Sequence, residues 1–584
     1  MKITSKAVRW LAMVGIALPL LSACGGSDST APISPTLKAA VFGNVEGVND
    51  QAGTGTYFWK GVPFAKAPVG ALRWKAPVDL DARTETLATK EFGNACAQYG
   101  RIYGPGSNNK YDATIGTTLN QAVGSEDCLY LNVWRPATAD TNLPVIVFFH
   151  GGSNVSGYTA DPVYDGANLA KSANAVVVTA NFRLGIFGFL NSPHLKTGTD
   201  VNTDSGNFAI LDSIKALQFL NKSVANFGGN AANVTVMGES AGAINVYALL
   251  TSPLMANANP KLFHKVVPLS GGLSLASNLP AGSVATMNPA STYLTQGNVL
   301  LQQLVIADNL ATDAASAQAY IASKTTAQNA DYLRSKSAST LFATLLTKLA
   351  AAGASAGSGP IPDGTVVATD PVGAINAGTY AKVPVLAGNT RDEGKLFPAF
   401  LPLAGGTGSA RLVSDATLFS THQNYNPEAA PAVTLNQWIT ASYLPVNAPT
   451  TGFTARADQF NKIFFLASRD NILNALKAKQ PEVWYYQFNW DKEPAPWNDI
   501  YGAAHLFDLP FVFGNFGPSL LANVMNTTAN KAGRLDLSDA MMKSIGSFAK
   551  NSDPNNATLG TTWPVWPQKL IFDATLTTKV ISVQ

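Results

Sequence analysis

Short apolar runs of strand length alternate with longer stretches of helical periodicity along the middle of the chain. Residues 145–149 and 175–179 form such runs, which are typical of strands buried on both faces, and residues 233–237 form a third predicted strand. Residues 208–224 and 241–250 carry apolar side chains at helical spacing. Strands that alternate with helices predict an α/β fold with a large, mostly parallel central sheet flanked by helices.

The apolar pattern before and after this central region predicts further strands of the sheet and helices inserted beside it. Residues 265–269 and 383–387 predict two further strands, and residues 39–48 predict a first strand and turn. Residues 302–351, rich in Ala, Leu, Ser and Thr, predict helices inserted beside the sheet. No composition shift marks a boundary, so we expect one domain over residues 39–584. Residues 94–124, 276–359 and 397–460 are expected to be inserted segments that shape a cavity beside the sheet.

The N-terminus has the pattern of an export signal. A basic stretch precedes the uncharged run 10–21, which is shorter than the roughly 20 residues of a spanning helix. It ends in the tetrapeptide LSAC, which resembles a bacterial lipobox, so we expect a signal peptide over residues 1–23, a lipid on Cys24 and a flexible tether over residues 24–38. Gly25 after the cysteine favours the outer membrane. The alternative is an ordinary signal peptide and a periplasmic or secreted protein.

Cys24 aside, the chain has two cysteines, Cys96 and Cys128. A single pair in an exported chain predicts one disulfide, and closing a loop of this length contributes about 3–4 kcal/mol in the chain-entropy model. Two free buried thiols are the alternative.

Composition and charge exclude several classes of function. Hydrophobic residues make up 46% and charged residues 13% of the 584 positions, which suits a globular chain and not a disordered one. The net charge is +3, and the N-terminal signal alone carries three cations without an acid, so no basic surplus remains for nucleic acid. The five histidines are scattered without HExxH or CxxC, and no GxGxxG follows a strand, so we expect neither a metal nor another cofactor.

The main chemical signal is the pentapeptide GESAG at residues 238–242. It follows the strand NVTVM and opens the helix AGAINVYALL, and this strand–turn–helix context predicts a nucleophile elbow with Ser240 at its tip. Gly238 and Gly242 remove side chains that would collide in so sharp a turn. The hydroxyl lies at a helix N-terminus, where developing negative charge is favoured.

A serine hydroxyl needs a base, which in an elbow of this type follows it in the chain. His150 and His194 precede Ser240, His264 is expected to be structural, and His422 lies in a polar stretch expected to face solvent. His505 lies between small residues and an apolar segment, as a positioned general base requires. We therefore predict His505 as the base.

The acid that orients the imidazole must lie between the serine and the histidine. Glu393 follows the predicted strand 383–387, at the edge where open parallel sheets place their active sites. We predict Glu393, with Asp392 as its neighbouring competitor. The other glutamates in this interval are Glu428, Glu482 and Glu493.

The sequence HGGS at residues 150–153 follows a buried strand and matches an oxyanion loop of the HGGG type. We predict an oxyanion hole at Gly151, Gly152 and Ser153, completed by Ala241 after the nucleophile, in which backbone N–H groups bind the developing oxyanion. Ser153 replaces the third glycine, and its Cβ is expected to narrow the acyl side.

Together with the elbow, six further stretches make the chain resemble the type-B carboxylesterase family, which includes the cholinesterases. The resemblance covers the chain from about residue 40. The stretches are KGVPF (60–64) with LRW (72–74), SEDCLYLN (125–132), NFRLGIFGF (181–189), GNFAILD (206–212), NFGG (226–229) and DEG (392–394).

The resemblance implies an α/β-hydrolase fold, a disulfide between Cys96 and Cys128, and supporting roles near the triad for Glu239 and Ser270. It also implies two structural ion pairs, Arg73 with Glu126 and Arg183 with Asp212. The loop between the cysteines contains no tryptophan, so the choline-binding aromatic of the family has no counterpart there.

These observations predict a serine carboxylic ester hydrolase that forms an acyl-enzyme on small to medium, largely apolar esters. Its activity is expected to fall as the base protonates, below about pH 6.5. Partners other than the ester are not expected, apart from a membrane through the lipid anchor, and the oligomeric state stays open. The alternatives are a hydrolase of amides or thioesters, and a non-catalytic binding protein of the same fold.

Overall fold

A sheet of eleven strands runs through residues 34–584, the part of the chain that this computed structural model describes. Its seven inner strands are parallel, and the outer four pair antiparallel. The predicted signal peptide, Cys24 and most of the tether lie outside the described residues. The strand order is Lys579–Val583, Leu570–Ala574, Val483–Phe488, Val385–Thr390, Lys265–Leu269, Gly229–Glu239, Leu143–Phe149, Val176–Ala180, Tyr130–Pro136, Thr56–Pro63 and Val48–Asp50.

The apolar pattern explains the centre of this sheet. Every residue of Leu143–Phe149, Val176–Ala180 and Lys265–Leu269 is buried, as expected for strands covered on both faces. Val385–Thr390 begins two residues later than predicted, and Gly229–Glu239 extends beyond the predicted strand at both ends. The predicted large, mostly parallel sheet is therefore confirmed.

Helices cover both faces of the sheet. Phe208–Ser223 and Ala241–Thr251 match the predicted helices closely. The other helices of eight residues or more are Ala290–Ala307, Ala314–Ala322, Thr326–Ser335, Ala338–Lys348, Asp415–Asn424, Phe453–Asn461, Ala467–Lys477 and Lys531–Asn551. The shorter ones are Ile115–Thr118, Ala167–Ala173, Gly185–Gly188, Val201–Asp204, Pro253–Ala256, Pro371–Ala377, Leu435–Trp438, Trp497–Ile500, Leu509–Phe513 and Ala522–Met525, and a π-helix spans Lys462–Leu466.

The predicted helical insertion is present but begins earlier, at Ala290, because Tyr293, Leu300 and Leu304 already form a buried stripe. Side-chain caps separate its helices: Asp313 and Thr325 each form a capping box with the residue three positions on. The insertion therefore consists of independently capped helices.

The described chain begins with a small separate sheet. Leu37–Ala40 pairs antiparallel with Gly43–Glu46, which pairs parallel with Leu87–Ala88, so the first strand includes two residues that the sequence assigned to the tether. Gln98–Tyr99 and Ala122–Val123 form a two-stranded sheet. No helix within residues 34–584 is long and apolar enough to cross a membrane.

Covalent and ionic links expected from the family resemblance are present. Cys96 and Cys128 are disulfide-bonded, with their Cα atoms 4.9 Å apart. Arg73 pairs with Glu126, and Arg183 pairs with Asp212 at 2.7 Å with both side chains buried. Arg183 also donates to the carbonyl of Lys75, so this pair links the sheet to the N-terminal loops.

Candidate active site

The tip of the elbow has a strained backbone. Ser240 lies between the strand Gly229–Glu239 and the helix Ala241–Thr251. Its backbone has φ 56° and ψ −121°, a combination that residues other than glycine rarely adopt. Its N–H donates to the carbonyl of Leu269 at 2.9 Å, so the neighbouring strand fixes the turn. A Cβ on Gly238 would lie 2.5 Å from the carbonyl oxygen of Gly242. Glycine at both ends therefore permits the turn.

Glu393 and the predicted base His505 meet at the same edge of the sheet. His505 Nδ1 donates to Glu393 Oε2. The other oxygen of Glu393 accepts from Asn389 Nδ2 and from the Thr390 N–H, each at 2.9 Å. Burial alone would raise the pKa of Glu393, but His505 and the hydrogen-bond donors around the carboxylate hold it below its ordinary value. Glu393 is thus an ionised acceptor that orients the imidazole.

The other imidazole nitrogen faces the elbow. His505 Nε2 lies 3.1 Å from Oε1 of Glu239, the residue directly before Ser240, and forms no regular hydrogen bond within the described chain. The rings of Phe397 and Phe465 flank the imidazole, each with its centroid 5.0 Å from that of His505. The structure therefore brings Ser240, Glu393 and His505 to one edge of the sheet, with Nε2 left for a further partner.

Negative charge around the imidazole changes the expected titration. Burial disfavours the imidazolium, but the charges of Glu239 and Glu393, with Asp508 behind them, outweigh burial and raise the pKa of His505 to about 9. Burial is also the main reason that the pKa of Glu239 rises to about 8. The ordinary histidine value assumed from the sequence is therefore too low for this site.

We accordingly expect kcat/KM for a neutral ester to rise with pH through the neutral range, with its acid limb centred above pH 6.5. The base must be unprotonated to act, so a raised pKa moves the loss of activity to higher pH. Glu239→Gln removes a charge that favours the imidazolium and should move the limb to lower pH. The measurement is kcat/KM against pH for both proteins.

The matched control for this profile is Glu482→Gln, because Glu482 is exposed and the substitution changes the net charge equally. An unchanged limb in Glu239→Gln would show that this carboxylate does not influence the base.

Glu393, which the sequence predicts as the orienting acid, and its neighbouring competitor Asp392 have different partners. Asp392 pairs with Arg391 at 2.7 Å and accepts the Ala503 N–H at 3.0 Å, so it holds the loop that carries the histidine. Glu393 is the one that contacts the imidazole. Within the described chain, His505 forms no ion pair with the other glutamates of this interval, which are Glu428, Glu482 and Glu493.

A third acid, which no sequence pattern had indicated, acts on the imidazole. Asp508 is fully buried, accepts from the hydroxyl of Tyr486 at 2.6 Å and leaves its second oxygen without a partner in residues 34–584. Burial is the main reason that its pKa rises to about 6. Its position only three residues after His505 in the sequence was the available signal.

The remaining histidines are structural. His150 is buried, donates from Nδ1 to the Gly151 carbonyl and has its pKa lowered to about 4 by burial. His194 lies near Asn329, and His264 Nδ1 accepts the Val234 N–H at 3.2 Å.

The prediction that His422 faces solvent is wrong. It is buried in the helix Asp415–Asn424, stacks on Trp438 and bonds to the carbonyl of Leu520 and the hydroxyl of Tyr501. The polar neighbours in the sequence belong to the outer face of this helix.

The predicted oxyanion loop presents free backbone donors. The N–H groups of Gly152, Ser153 and Ala241 have no acceptor among residues 34–584. The loop is held by the helix after the nucleophile, because Asn245 Nδ2 donates to the side chain of Asn154 at 2.8 Å. Unbonded donors held beside a serine are suited to binding an oxyanion.

Two residues of the loop have special backbone requirements. A Cβ on Gly151 would collide with the carboxylate of Glu239, so glycine there lets that acid lie under the loop. Ser153 adopts φ 56°, which favours glycine, and its exposed side chain lines the same cavity as Ser240. Ser270, also in the left-handed region, has its hydroxyl near enough to Glu393 to help lower the pKa of that carboxyl, without a regular hydrogen bond.

An apolar cavity of about 260 Å³ opens beside the serine. Five phenylalanines form much of its wall, and no charged residue of the described part of the chain lines it. Two of the three inserted segments that were expected to shape a cavity contribute to it, while residues 94–124 do not line it. The five rings are those of Phe397, Phe400, Phe460, Phe464 and Phe465. Within residues 34–584, no group of three or more His, Cys, Asp or Glu side chains is arranged to hold a metal ion.

A parallel sheet that carries a serine elbow, an acid–histidine pair and free backbone donors at one edge defines a serine hydrolase of the α/β-hydrolase fold. Residues 33–579 match the carboxylesterase family model. The para-nitrobenzyl esterase of Bacillus subtilis (strain 168) is 29% identical over 541 residues, which are 92% of this chain and 94% of that protein. The chain therefore belongs to the carboxylesterase family and is a carboxylic ester hydrolase.

Other relatives agree over most of the chain. The fumonisin B1 esterase of Sphingopyxis macrogoltabida is 29% identical over 564 residues, covering 96% of this chain and 89% of that protein. The solved structure of a thermophilic PNB esterase superposes with a TM-score of 0.69 at 25% identity, covering 94% of this chain and 98% of that one. The predicted α/β-hydrolase fold is thus confirmed.

Proposed function

We propose that the chain hydrolyses small to medium, largely apolar carboxylic esters through an acyl-enzyme on Ser240. The proposed base is His505, the proposed orienting acid is Glu393, and the N–H groups of Gly152, Ser153 and Ala241 form the oxyanion hole, with Gly151 shaping the loop. Glu239 and Ser270 support the triad from either side. The observation that carries the proposal is the uncharged, phenylalanine-walled cavity that contains Ser240.

The reaction follows from these positions. The Ser240 oxygen attacks the ester carbonyl carbon while its proton passes to Nε2 of His505, and the carbonyl oxygen becomes an oxyanion that accepts the free N–H groups. The bond to the leaving oxygen then breaks, and His505 returns the proton to that oxygen. Water repeats the sequence on the acyl-enzyme and releases the acid. Each oxyanion donor typically contributes about 3–4 kcal/mol to the transition state.

Two of the phenylalanine rings indicate which side of the cavity holds the leaving group. Phe397 and Phe465 pack against the imidazole of His505. Since the imidazole hands its proton to the leaving oxygen, these rings line the leaving-group side of the cavity. Burying apolar surface there stabilises an apolar alcohol at about 25 cal/mol per Å².

The test is a series of aryl esters of increasing acyl length, compared with a thioester and an anilide of the same acid. We expect kcat/KM to increase with apolar acyl length until the cavity is filled, and the ester to be the best of the three matched substrates. A faster thioester or anilide would favour the alternative reaction class. Absence of turnover, with no covalent labelling of the folded protein by an organophosphate, would favour a binding protein.

We also propose that the protein is exported and anchored to the bacterial envelope by a lipid on Cys24, most simply in the outer membrane. The lipobox-like tetrapeptide and the glycine- and serine-containing sequence that follows Cys24 support this. Metabolic labelling with a fatty-acid analogue, compared between wild type and Cys24→Ser, tests it. Equal labelling of the two would contradict lipidation at this position.

A further inference from the structure

A second depression lies beside the mouth of the active-site cavity. It has a volume of about 460 Å³ and is lined by Leu403, Ala404, Arg456, Gln459 and Ile463 among others. Of the described residues that line it, Arg456 alone is charged. We call this depression the arginine groove.

The groove continues the cavity. Leu403, whose side chain is 56% exposed, lines both. One helical segment separates the groove from the cavity and contributes residues to both. Gln459 and Ile463 line the groove, whereas Phe460 and Phe464 line the cavity. A molecule that passes over Leu403 can therefore occupy both.

Arg456 is positioned but not neutralised. One nitrogen of its guanidinium donates to the carbonyl of Ala404 at 2.8 Å, in the turn that also carries Leu403. Arg411 and Arg469 pair with aspartates, whereas Arg456 has no carboxylate partner within the described chain. The side chain is half-buried, so its remaining donors are held at the groove wall with their charge unbalanced.

We infer that the arginine groove binds a carboxylate at the far end of an ester substrate whose body fills the apolar cavity. A guanidinium binds a carboxylate through charge-assisted hydrogen bonds, and among residues 34–584 no acid lines either space to oppose it. The substrate class is thus the monoester of a dicarboxylic acid, or an ester whose alcohol carries a distant carboxylate. This inference rests on the proposed function and narrows its substrates.

The experiment compares substrates of equal length with and without the distant carboxylate. One pair is an aryl hexanoate and the aryl monoester of adipic acid, and a second pair carries the carboxylate on the alcohol. In Arg456→Gln we expect kcat/KM for at least one anionic substrate to fall about tenfold, mainly through KM, because one charge-assisted contact is lost. The neutral substrates should keep their kcat/KM.

Two further variants complete the test. Arg456→Lys keeps the charge and should retain part of the preference, which should weaken as salt is added. Lys382→Gln removes an exposed cation elsewhere and should change nothing. Equal loss on neutral and anionic substrates, or no loss on either anionic substrate, would overturn the inference. Failure of wild type on the neutral esters would instead count against the proposed function.

Discussion

Alanine at position 240 is expected to lower kcat for an aryl ester by roughly a million-fold while the protein stays folded. The substitution removes the oxygen that forms the acyl-enzyme but keeps the Cβ, so the strained turn at φ 56° meets no new steric demand. Steady-state hydrolysis, with circular dichroism to monitor folding, measures the effect. Wild type should also gain the mass of one organophosphate adduct, and the variant should gain none.

Ser358→Ala is the matched control, because Ser358 lines the same cavity without contacting the acid–histidine pair. It should retain most of the activity. Turnover surviving in Ser240→Ala at a level near that of Ser358→Ala would exclude Ser240 as the nucleophile.

Glutamine at position 393 is expected to lower kcat by roughly ten thousand-fold. The amide keeps the shape of the side chain but removes the negative charge that fixes the imidazole tautomer and stabilises the imidazolium. His505 Nδ1 loses a carboxylate acceptor, whereas the donors Asn389 and Thr390 keep an oxygen to bond. The effect is measured by kcat at saturating ester, with thermal unfolding followed in parallel.

Asp392→Asn separates the two adjacent acids. Asp392 holds Arg391 and the Ala503 N–H, so its loss should lower the unfolding temperature while most of kcat remains. If the large loss of kcat appeared in Asp392→Asn and not in Glu393→Gln, the acid of the triad would be assigned to the wrong residue.

The parts of this fold that sequence patterns predicted are those with local causes. An unbroken apolar run such as that of Leu143–Phe149 requires burial on both faces, and a glycine on each side of Ser240 is needed to close the turn. Chain order, strand position and the family resemblance together led to Glu393, and chain order with the small and apolar neighbours of the histidine led to His505. The disulfide followed from there being only two cysteines besides Cys24.

Features that depend on distant segments could not be read in this way. The phenylalanine wall combines Phe397 and Phe400 with a group more than fifty positions later, and no local pattern distinguishes such rings from core. His422 was wrongly assigned to the surface because its neighbours in the sequence are polar. In the fold it lies with Leu418 and Phe419 on the buried face of a helix. The raised pKa of His505 depends on three carboxyls, of which Glu239 and Glu393 are brought to the imidazole only by the fold.

The backbone hydrogen bond from Ser240 to Leu269 affects how readily the amide hydrogens around the nucleophile exchange with solvent. It places the nucleophile within the hydrogen-bond ladder of the central sheet, whereas the cavity walls come from inserted turns and helices at the periphery. Amide exchange at the elbow then requires cooperative unfolding of the sheet, while the walls can exchange through local opening. The amide hydrogens of the elbow are therefore expected to exchange more slowly than those of the cavity walls, which a hydrogen-exchange measurement can check.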